Sequence, residues 1–444
     1  MNVNEFITKA RLILPELMKD LTDLVALPSV PFPGFPPEPV DAARAATAKI
    51  LEKAGYANVR ELDLGAGYPA VTAEAAGPKG SPTVLLYAHY DVQPAPAEQD
   101  WETDPWRLTE KPDGRFYGRG AADDKSGIVI HAGTLKIFDG KPPVNLKVVI
   151  EGEEETVSNL EPFIVKHPEL FQADVMLISD MGNIIAGDPV LTTALRGTVV
   201  CLVEVKTIAR PLHSGIFGGP VPDALVALIK LLGTLWDEKG NTVVEGLQSF
   251  DWPDDVYPEE RFRDLAGFLP GVVMIGDGSL ASRLWSKPSV TVIGLDAPAT
   301  SQAGNALIPA AKARLSLRIA PGEDPNKAIG ALKRHLLRAA PWGAQVTVEE
   351  VMAADAFTSA VGGPGQSAAR RAVSEVYGKE PSDVGSGGTI PLLQRLAEAA
   401  PQAEFVLWGA SDAAALIHGA NESVDGSEIE KMVAAQALML QHLA

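Results

Sequence analysis

The sequence predicts an α/β fold in which a mainly parallel sheet is sandwiched by helices and a smaller α+β domain is inserted into the chain. Strand and helix patterns alternate between residues 83 and 180, an order that gives parallel strands. Near Arg196 the pattern changes to half-exposed strands, and apolar strands return after a Gly/Pro linker at 362–365. We therefore predict a main domain in two segments, residues 1–195 and 361–444, with an inserted domain over residues 196–360.

The first segment opens with two helices. Residues 1–27 place apolar side chains at helical spacing, and the helix predicted for residues 40–55 ends on Gly55, because glycine readily adopts the left-handed conformation that terminates helices. Residues 83–91 form a nearly continuous apolar run, which is typical of a strand covered on both faces. The remaining elements expected here are a helix over 125–138, a strand over 144–151, a helix over 160–167 and a strand over 174–180.

The inserted domain has the pattern of a ferredoxin-like α+β unit. Its expected strands are 198–207, 289–295, 312–319 and 345–351, and its expected helices are 222–239 and 326–339. Residues 240–288 contain several prolines and are predicted to be an irregular excursion. The last segment is predicted to contain a helix over 366–378, a strand over 405–409 and a final helix over 427–443.

Composition excludes several classes of partner. The 444 residues include 57 acidic and 38 basic side chains, a net charge of −19, which argues against nucleic acids and anionic membranes and suits cations. No apolar stretch approaches the ~20 residues of a membrane-spanning helix, and the N-terminus does not resemble a signal peptide. The single cysteine, Cys201, cannot form an internal disulfide, which fits a reducing compartment. A cytoplasmic location is therefore expected.

Metal-ligand residue types stand where predicted strands end. His89 and Asp91 are two residues apart at a strand end, so both side chains leave on one side, and Asp91 is placed to accept the second N–H of an imidazole ligand. Asp180 ends the third strand of the series. Because ligands of open α/β sheets bind beyond the carboxyl ends of the strands, we expect these side chains to converge. The alternative for His89 alone is a histidine satisfied by a neighbour.

Two acidic clusters add further candidates. Asp123 and Asp124 follow a glycine-rich turn and enter a predicted helix. They cap that helix, or one of them bridges two cations ~3.5–4 Å apart. The run Glu151–Glu155 follows a buried strand, whereas acidic runs are usually solvated surface. Adjacent residues diverge, so one of Glu154 and Glu155 is able to bind metal while the other faces a water molecule as general base.

Histidines and an arginine complete the candidates. His418, in a loop before the final helix, completes a set of two histidines and three carboxylates, which suits zinc, with manganese or cobalt as alternatives. In the inserted domain, His213 is flanked by glycines and is a candidate to stabilise an oxyanion. Arg318, on a predicted strand, is a candidate to clamp a substrate carboxylate, with a surface salt bridge as the alternative.

These residues lie within motifs that resemble the aminoacylase/carnosinase-type co-catalytic di-metal metallopeptidases, and within them the dipeptidase branch that includes cytosolic non-specific dipeptidase and carnosinase. The motifs run in family order from about residue 85 to 425. They are HYDV, GRGAADDKSG, EGEEE, LISD, LTTALRG, LHSGIFGG, RLWSKPSVTVIGL, NALIP, SLRIAP, GGTIP and HGANE. The resemblance implies a zinc-peptidase-like catalytic domain with an inserted lid and dimerisation domain.

The resemblance also implies a role for each matched residue. One of two divalent ions, expected to be Zn²⁺, would be held by His89, Asp123 and Asp180, and the other by Asp123, Glu155 and His418. Asp123 would bridge them, with a cis peptide bond to Asp124. Asp91 would orient His89, Glu154 would be the general base and then the acid, and His213 would reach the oxyanion across a homodimer interface. The expected substrate contacts are Asn305, Arg318, Gly388 and Thr389.

The sequence therefore predicts a dipeptidase in which Glu154 activates a water molecule bridging the metals. It departs from the dipeptidase pattern at Pro211, at Gly385-Ser386 and at Val157, none of which is a metal-ligand position. An N-acyl- or N-carbamoyl-amino-acid deacylase of the same family is the alternative enzyme. A non-catalytic binding protein, or a purely structural cation site, is the alternative outside catalysis. The expected partners are a small peptide or acylated amino acid and a second copy of the chain.

Overall fold

A computed structural model of the chain describes residues 1–96, 100–254 and 256–444. The chain divides into two compact units. The first unit contains residues 1–193, 359–383 and 392–444, and the second contains residues 194–358 and 384–391. Residues 384–391, which fall within the last segment of the predicted main domain, thus belong to the second compact unit.

Secondary structure follows the chain in this order. Up to residue 195 the elements are α1 (Val3–Val25), α2 (Glu38–Ala54), β1 (Ala57–Leu62), β2 (Ala70–Ala75), β3 (Thr83–His89), β4 (Thr109–Glu110), β5 (Arg115–Tyr117), α3 (Lys125–Ile137), β6 (Asn145–Glu151), α4 (Leu160–Lys166), β7 (Val175–Ile178), β8 (Gly182–Asn183) and β9 (Val190–Leu195). Then come β10 (Gly197–Lys206), β11 (Leu212–His213), α5 (Ser214–Phe217), α6 (Ala224–Leu232), α7 (Glu259–Leu265), α8 (Leu280–Trp285), β12 (Ser289–Asp296), β13 (Ala306–Leu307), β14 (Ala310–Ile319), α9 (Pro325–Arg338), β15 (Gln345–Ala354) and β16 (Phe357–Thr358). The last are α10 (Pro364–Tyr377), β17 (Ser382–Ser386), α11 (Pro391–Ala399), β18 (Glu404–Leu407), β19 (Ser411–Asp412), β20 (Ser423–Asp425) and α12 (Gly426–Leu443).

The sheet of the first unit is mixed and mostly parallel, which confirms the predicted fold class. Its strand order is β1-β2-β6-β3-β7-β18-β9. The central strands β6, β3, β7 and β18 are parallel, whereas β1, β2 and β9 pair antiparallel at the two sides. The sequence did not predict β1, because its side chains are exposed or half-buried and lack the apolar alternation of a covered strand.

Helices α1, α2, α3, α10 and α12 share one hydrophobic core with this sheet. Helix α3 is buried along almost its whole length, which explains why its sequence has no polar face. Helix α1 begins at a capping box, in which Asn2 and Glu5 each accept a backbone N–H of the other. Among the described residues, no helix is long and apolar enough to cross a lipid bilayer.

The parallel centre of the sheet brings the predicted site residues to one edge. His89 lies opposite Glu151 in the register of β3 and β6, and Tyr87 lies opposite Ile178 in that of β3 and β7. The residues that follow these strands therefore leave the sheet together. A small sheet, β4-β5-β20, pairs Tyr117 with Ser423, so the turn after β5 lies beside the loop that precedes β20.

The second unit is ferredoxin-like, as predicted. Its elements follow the order β10-α6-β12-β14-α9-β15, and its sheet has the strand order β12-β14-β10-β15 with antiparallel pairs. The helix predicted for residues 222–239 ends earlier, at Leu232. There the Thr234 hydroxyl donates to the Leu231 carbonyl at 2.7 Å, which competes with continued helical bonding. The predicted irregular excursion contains the two short helices α7 and α8.

Candidate metal centre

His89 is buried at the end of β3 between two aspartates. Its Nδ1 lies 3.1 Å from the Asp91 carbonyl oxygen and 3.4 Å from the Asp91 carboxylate, and its Nε2 lies 3.1 Å from Asp123 Oδ1. The Asp91 carboxylate also accepts the backbone N–H of Glu154 at 3.2 Å and of Glu155 at 3.0 Å. Asp91 thus contacts the imidazole of His89 and also bonds the backbone of the glutamate turn.

Asp123 lies between the two predicted histidine ligands. Its Oδ1 faces His89, and its Oδ2 lies 3.0 Å from Nε2 of His418. The peptide bond between Asp123 and Asp124 is cis. Burial acts to raise the pKa of Asp123, but the hydrogen bonds to His418 and His89 outweigh it and hold the pKa well below its usual range. Each oxygen of this carboxylate thus faces a different histidine, which is the arrangement that a bridging ligand needs.

The acidic run after β6 separates into structural and free carboxylates. Glu151 accepts the Tyr87 hydroxyl at 2.7 Å, and Glu153 accepts the Asn159 side chain at 2.7 Å. The carboxylate of Glu155 accepts Gln93 Nε2 at 2.8 Å and lies 3.3 Å from Nε2 of His418. In the described part of the chain, the Glu154 carboxylate has no hydrogen-bond partner.

The environment of Glu154 favours its protonated form. Burial raises the pKa of Glu154 to about 8, with the charges of Glu155 and Asp123 adding to the effect and His89 opposing it. A carboxyl group with a pKa near neutrality is suited to accept a proton and to return it. This difference between Glu154 and its bonded neighbour Glu155 supports the predicted division into base and ligand.

Asp180 and Asp124 form a second group of carboxylates around His89. Asp180 Oδ1 lies 3.9 Å from His89 Nε2, and Asp124 Oδ2 accepts the His89 backbone N–H at 3.3 Å. Asp124 Oδ1 is buried, and no described residue bonds it. Burial raises the pKa of both carboxyls well above the usual range. The sequence had not assigned Asp124 as a ligand, and its unbonded buried oxygen makes it a further candidate.

His418 lies in a loop of unusual backbone conformation. Leu416, His418 and Asn421 have φ values of 53°, 64° and 62°, which L-residues rarely adopt. Such conformations persist where the surrounding structure holds them, and they cluster at functional sites. The His418 side chain is 53% exposed, whereas the Asp123 side chain beside it is 11% exposed. One side of the cluster is therefore open to solvent.

Glu422, the last residue of the HGANE motif, was not among the predicted site residues, but it bonds the turn that carries Asp123. Its buried carboxylate accepts Arg119 Nη1 at 2.6 Å and the backbone N–H groups of Gly120, Ala122 and Asp123 at 2.9, 3.0 and 3.1 Å. Arg119 also donates to the Gly419 carbonyl at 2.9 Å. This pair joins the turn that carries Asp123 to the loop that carries His418. The sequence signal for this contact was the position of an acidic residue, Glu422, shortly after the candidate ligand His418.

The cluster fits divalent cations. Ligand atoms of His89, Asp123 and Glu155 lie within 4.8 Å of one another, and so do those of His89, Asp124 and Asp180. Imidazole nitrogen and carboxylate oxygen suit zinc, and a carboxylate-rich set also admits manganese or cobalt. Several buried carboxylates at such short range repel one another unless cations or protons compensate them. The donor set and the mutual repulsion of its carboxylates therefore both support metal binding.

The second unit brings the other predicted residues together in pairs. Pairing of β11 with β13 places His213 opposite Ala306, next to Asn305, and His213 Nδ1 accepts the Gly215 N–H at 3.1 Å. Arg318 Nη1 lies 3.2 Å from the Thr389 hydroxyl. The Gly388 N–H is occupied by Ser386 Oγ at 3.1 Å. The hydroxyl of Thr389 is likewise used within the unit, because it donates to the Arg196 carbonyl at 2.5 Å.

Comparison with known proteins gives consistent matches over most of the chain. Residues 85–442 match peptidase family M20/M25/M40. The chain is 38% identical over 412 residues to the cysteinylglycine-S-conjugate dipeptidase of Corynebacterium striatum, covering 90% of this chain and 89% of that protein. It is 31% identical over 345 residues to the beta-Ala-His dipeptidase of Rattus norvegicus, covering 73% and 70%. The crystal structure of human carnosine dipeptidase 1 matches at a TM-score of 0.82 and 25% identity, covering 100% and 99%.

Proposed function

The chain belongs to peptidase family M20/M25/M40, and we propose that it is a metal-dependent dipeptidase. The observation that carries the proposal is the Asp123 carboxylate, whose two oxygens face His89 and His418, with the unbonded carboxylate of Glu154 next to Glu155. Relatives that are 38% and 31% identical to this chain over the aligned residues are named as dipeptidases. Site chemistry and relatives thus support the same reaction class.

The residues that would hold two divalent cations are those predicted from the sequence. They are His89, Asp123 and Asp180 for one ion and Asp123, Glu155 and His418 for the other, with Asp124 as a further candidate. We propose zinc as the native metal, with manganese and cobalt as alternatives. When bound, the cations polarise the scissile carbonyl and lower the pKa of water.

Glu154 would move the proton. Its carboxylate accepts a proton from the attacking water and then transfers it to the leaving nitrogen of the peptide bond. The backbone N–H of Glu154 is fixed by Asp91, which also orients His89, so base and ligand share one positioning residue. Burial of Glu154 stabilises its protonated form, which lowers the cost of holding the proton between the two steps.

We further propose that the second unit recognises the substrate. Arg318 would bind the carboxylate of the dipeptide, and Thr389 and Gly388 would position it. His213 and Asn305 would contact the reacting carbonyl and the substrate's terminal group. A homodimer formed through this unit is part of the proposal, and light scattering tests it. A cytoplasmic location is also proposed, supported by the single, buried Cys201.

The experiment that tests the function is a hydrolysis screen on protein reconstituted with zinc, manganese or cobalt. We expect turnover of dipeptides. Preferential turnover of N-acyl or N-carbamoyl amino acids would instead identify a deacylase. Bound metal with no turnover of any amide would indicate a structural site or a binding protein.

The role of Glu154 is tested by Glu154→Gln, which we expect to abolish turnover while two metal ions remain bound. The matched control is Glu153→Gln, because Glu153 is adjacent in the chain but its carboxylate bonds Asn159. We expect the control to retain most activity. Substantial turnover by the Glu154 variant would show that another group is the base.

A further inference from the structure

Two arginines of the second unit lie on the same face of its sheet. In the strand register, Arg318 of β14 lies opposite Thr198 of β10 and opposite Ser289 of β12. Arg196 precedes Thr198 by two residues, and its Nη1 lies 3.2 Å from the Ser289 hydroxyl. Helices α6 and α9 cover the other face, where the apolar side chains of β10 and β14 are buried. The two guanidinium groups therefore lie on the face opposite α6 and α9.

Among the described residues, only one nitrogen of the Arg318 guanidinium makes hydrogen bonds. Its Nη1 donates to the hydroxyls of Thr198 and Thr389, at 2.5 and 3.2 Å. Within the described residues, Nε and Nη2 of Arg318 have no acceptor. The hydroxyls therefore fix the orientation of the guanidinium and leave one of its two-donor edges free. Such an edge matches the geometry of a carboxylate.

Arg196 is more deeply buried, and its hydrogen bonds are on average longer than those of Arg318. Arg196 is 8% exposed, and its Nε has no hydrogen-bond partner in the part of the chain that the structure describes. Its Nη1 has only neutral acceptors, the Lys287 carbonyl at 3.4 Å and Ser289 Oγ. A Cβ added to Gly387 would lie 3.1 Å from Arg196 Nη2. Glycine at this position thus leaves the guanidinium uncovered by a side chain.

In the part of the chain that the structure describes, neither arginine has a compensating charge. Among the described residues, no carboxylate lies within 4 Å of Arg196 or Arg318, although the chain carries 57 acidic residues and a net charge of −19. Burial and the neighbouring charge of Arg318 lower the pKa of Arg196 to about 10. A buried cation that is repelled by a second, partly buried cation is costly unless an anion joins them. The missing anion therefore points to a ligand.

We propose that Arg196 and Arg318 form a dicationic subsite that binds the two carboxylates of an acidic C-terminal residue, so that the enzyme prefers dipeptides ending in glutamate or aspartate. The inference rests on the proposed dipeptidase function. The main-chain carboxylate of the substrate compensates one guanidinium, and a neutral side chain leaves the second uncompensated. An acidic side chain completes the charge balance, and Arg196 is then the residue that determines specificity.

The test compares alanyl-glutamate with alanyl-glutamine, and alanyl-aspartate with alanyl-asparagine, because each pair differs in charge at nearly constant shape. We expect kcat/KM to be at least about tenfold higher for the acidic member, mainly through KM. Arg196→Gln should bring the ratio close to one while the amide peptides are still cleaved. Arg196→Lys, which keeps the charge, should retain part of the preference. The matched control is Arg314→Gln, which removes an exposed charge from β14 on the same face of the sheet and should leave the ratio unchanged.

A binding measurement keeps the inference independent of turnover and of the stability of the variants. Free glutamate should raise the Tm of the wild-type holoenzyme more than free glutamine does, and Arg196→Lys should reduce the difference. Cleavage of both members of each pair with equal kcat/KM would overturn the inference and leave the dipeptidase proposal intact. Absence of all dipeptide turnover would overturn the proposed function, and equal Tm shifts would then overturn the inference as well.

Discussion

Replacing Glu422 with glutamine is the sharpest test of how the metal centre is assembled. Oε2 of Glu422 accepts Arg119 Nη1 and the Gly120 N–H, and Oε1 accepts the N–H groups of Ala122 and Asp123. Glutamine has one oxygen, so its amide nitrogen must face one of these donor pairs whichever way it is turned. At least two hydrogen bonds are therefore lost, and Arg119 loses its charged partner.

The size of the effect follows from burial. Breaking a buried ion pair by neutralising one partner costs about 3–5 kcal/mol of folding free energy. Residues that orient a metal ligand typically change metal affinity by about 10–100-fold when mutated. Because Glu422 bonds the Asp123 N–H directly and Arg119 bonds the loop of His418, we expect Glu422→Gln to show both effects.

The assay separates stability from metal affinity. Denaturant unfolding of the metal-free protein gives the first quantity, and competition with a chelator gives the second. The control is Glu428→Gln, because Glu428 is also buried and also accepts four donors, none of which carries a candidate ligand. We expect the control to lose stability but to keep its metal affinity. Metal affinity of Glu422→Gln within twofold of wild type would show that the Glu422 hydrogen bonds do not position Asp123 for metal binding.

Two further predictions concern Asp91 and His131. Asp91→Asn removes the carboxylate charge beside His89 and weakens the acceptor for the backbone of the Glu154 turn. We therefore expect kcat to fall by about 10–100-fold. Steady-state kinetics at saturating metal measure this, and an unchanged kcat would contradict the prediction. Burial lowers the pKa of His131 to about 4, so the folded protein keeps this side chain neutral while the unfolded chain binds a proton below about pH 6.5. The free energy of unfolding should therefore fall by about 3 kcal/mol from pH 6.5 to pH 4, and His131→Gln should remove that part of the slope in denaturant titrations. An equal slope in the variant would show that other groups cause it.

The sequence predicted the centre of the fold, and it indicated the residues of the candidate site, because both depend on local patterns. The strands that carry His89 and the glutamate run are continuous apolar segments with polar residues at their ends, and parallel pairing brings such ends to one edge. The motifs then identified the family, which the comparison over residues 85–442 shows. The side strand β1 was missed because its side chains are not covered.

What the sequence could not give depends on contacts between distant residues. Glu422 bonds the turn of Asp123 only because β20 pairs with β5, which lies far earlier in the chain. Glu422 and Gly120, for example, are 302 residues apart. Arg196 has no carboxylate within 4 Å among the described residues, a fact that depends on how distant strands and loops pack and that no local sequence pattern carries. Thr389 was predicted to contact substrate, but its hydroxyl bonds Arg318 and the Arg196 carbonyl, a relation that no local pattern carries. We therefore propose that Thr389 affects substrate binding by holding the Arg318 guanidinium in place.

The most direct test of the account is the number of divalent ions bound per chain, measured by elemental analysis and calorimetric titration. Sharing of Asp123 between two ligand groups predicts two zinc ions for the wild-type chain, one for His418→Ala and none bound tightly for Asp123→Ala. A single ion in the wild type, or two ions retained by Asp123→Ala, would contradict it.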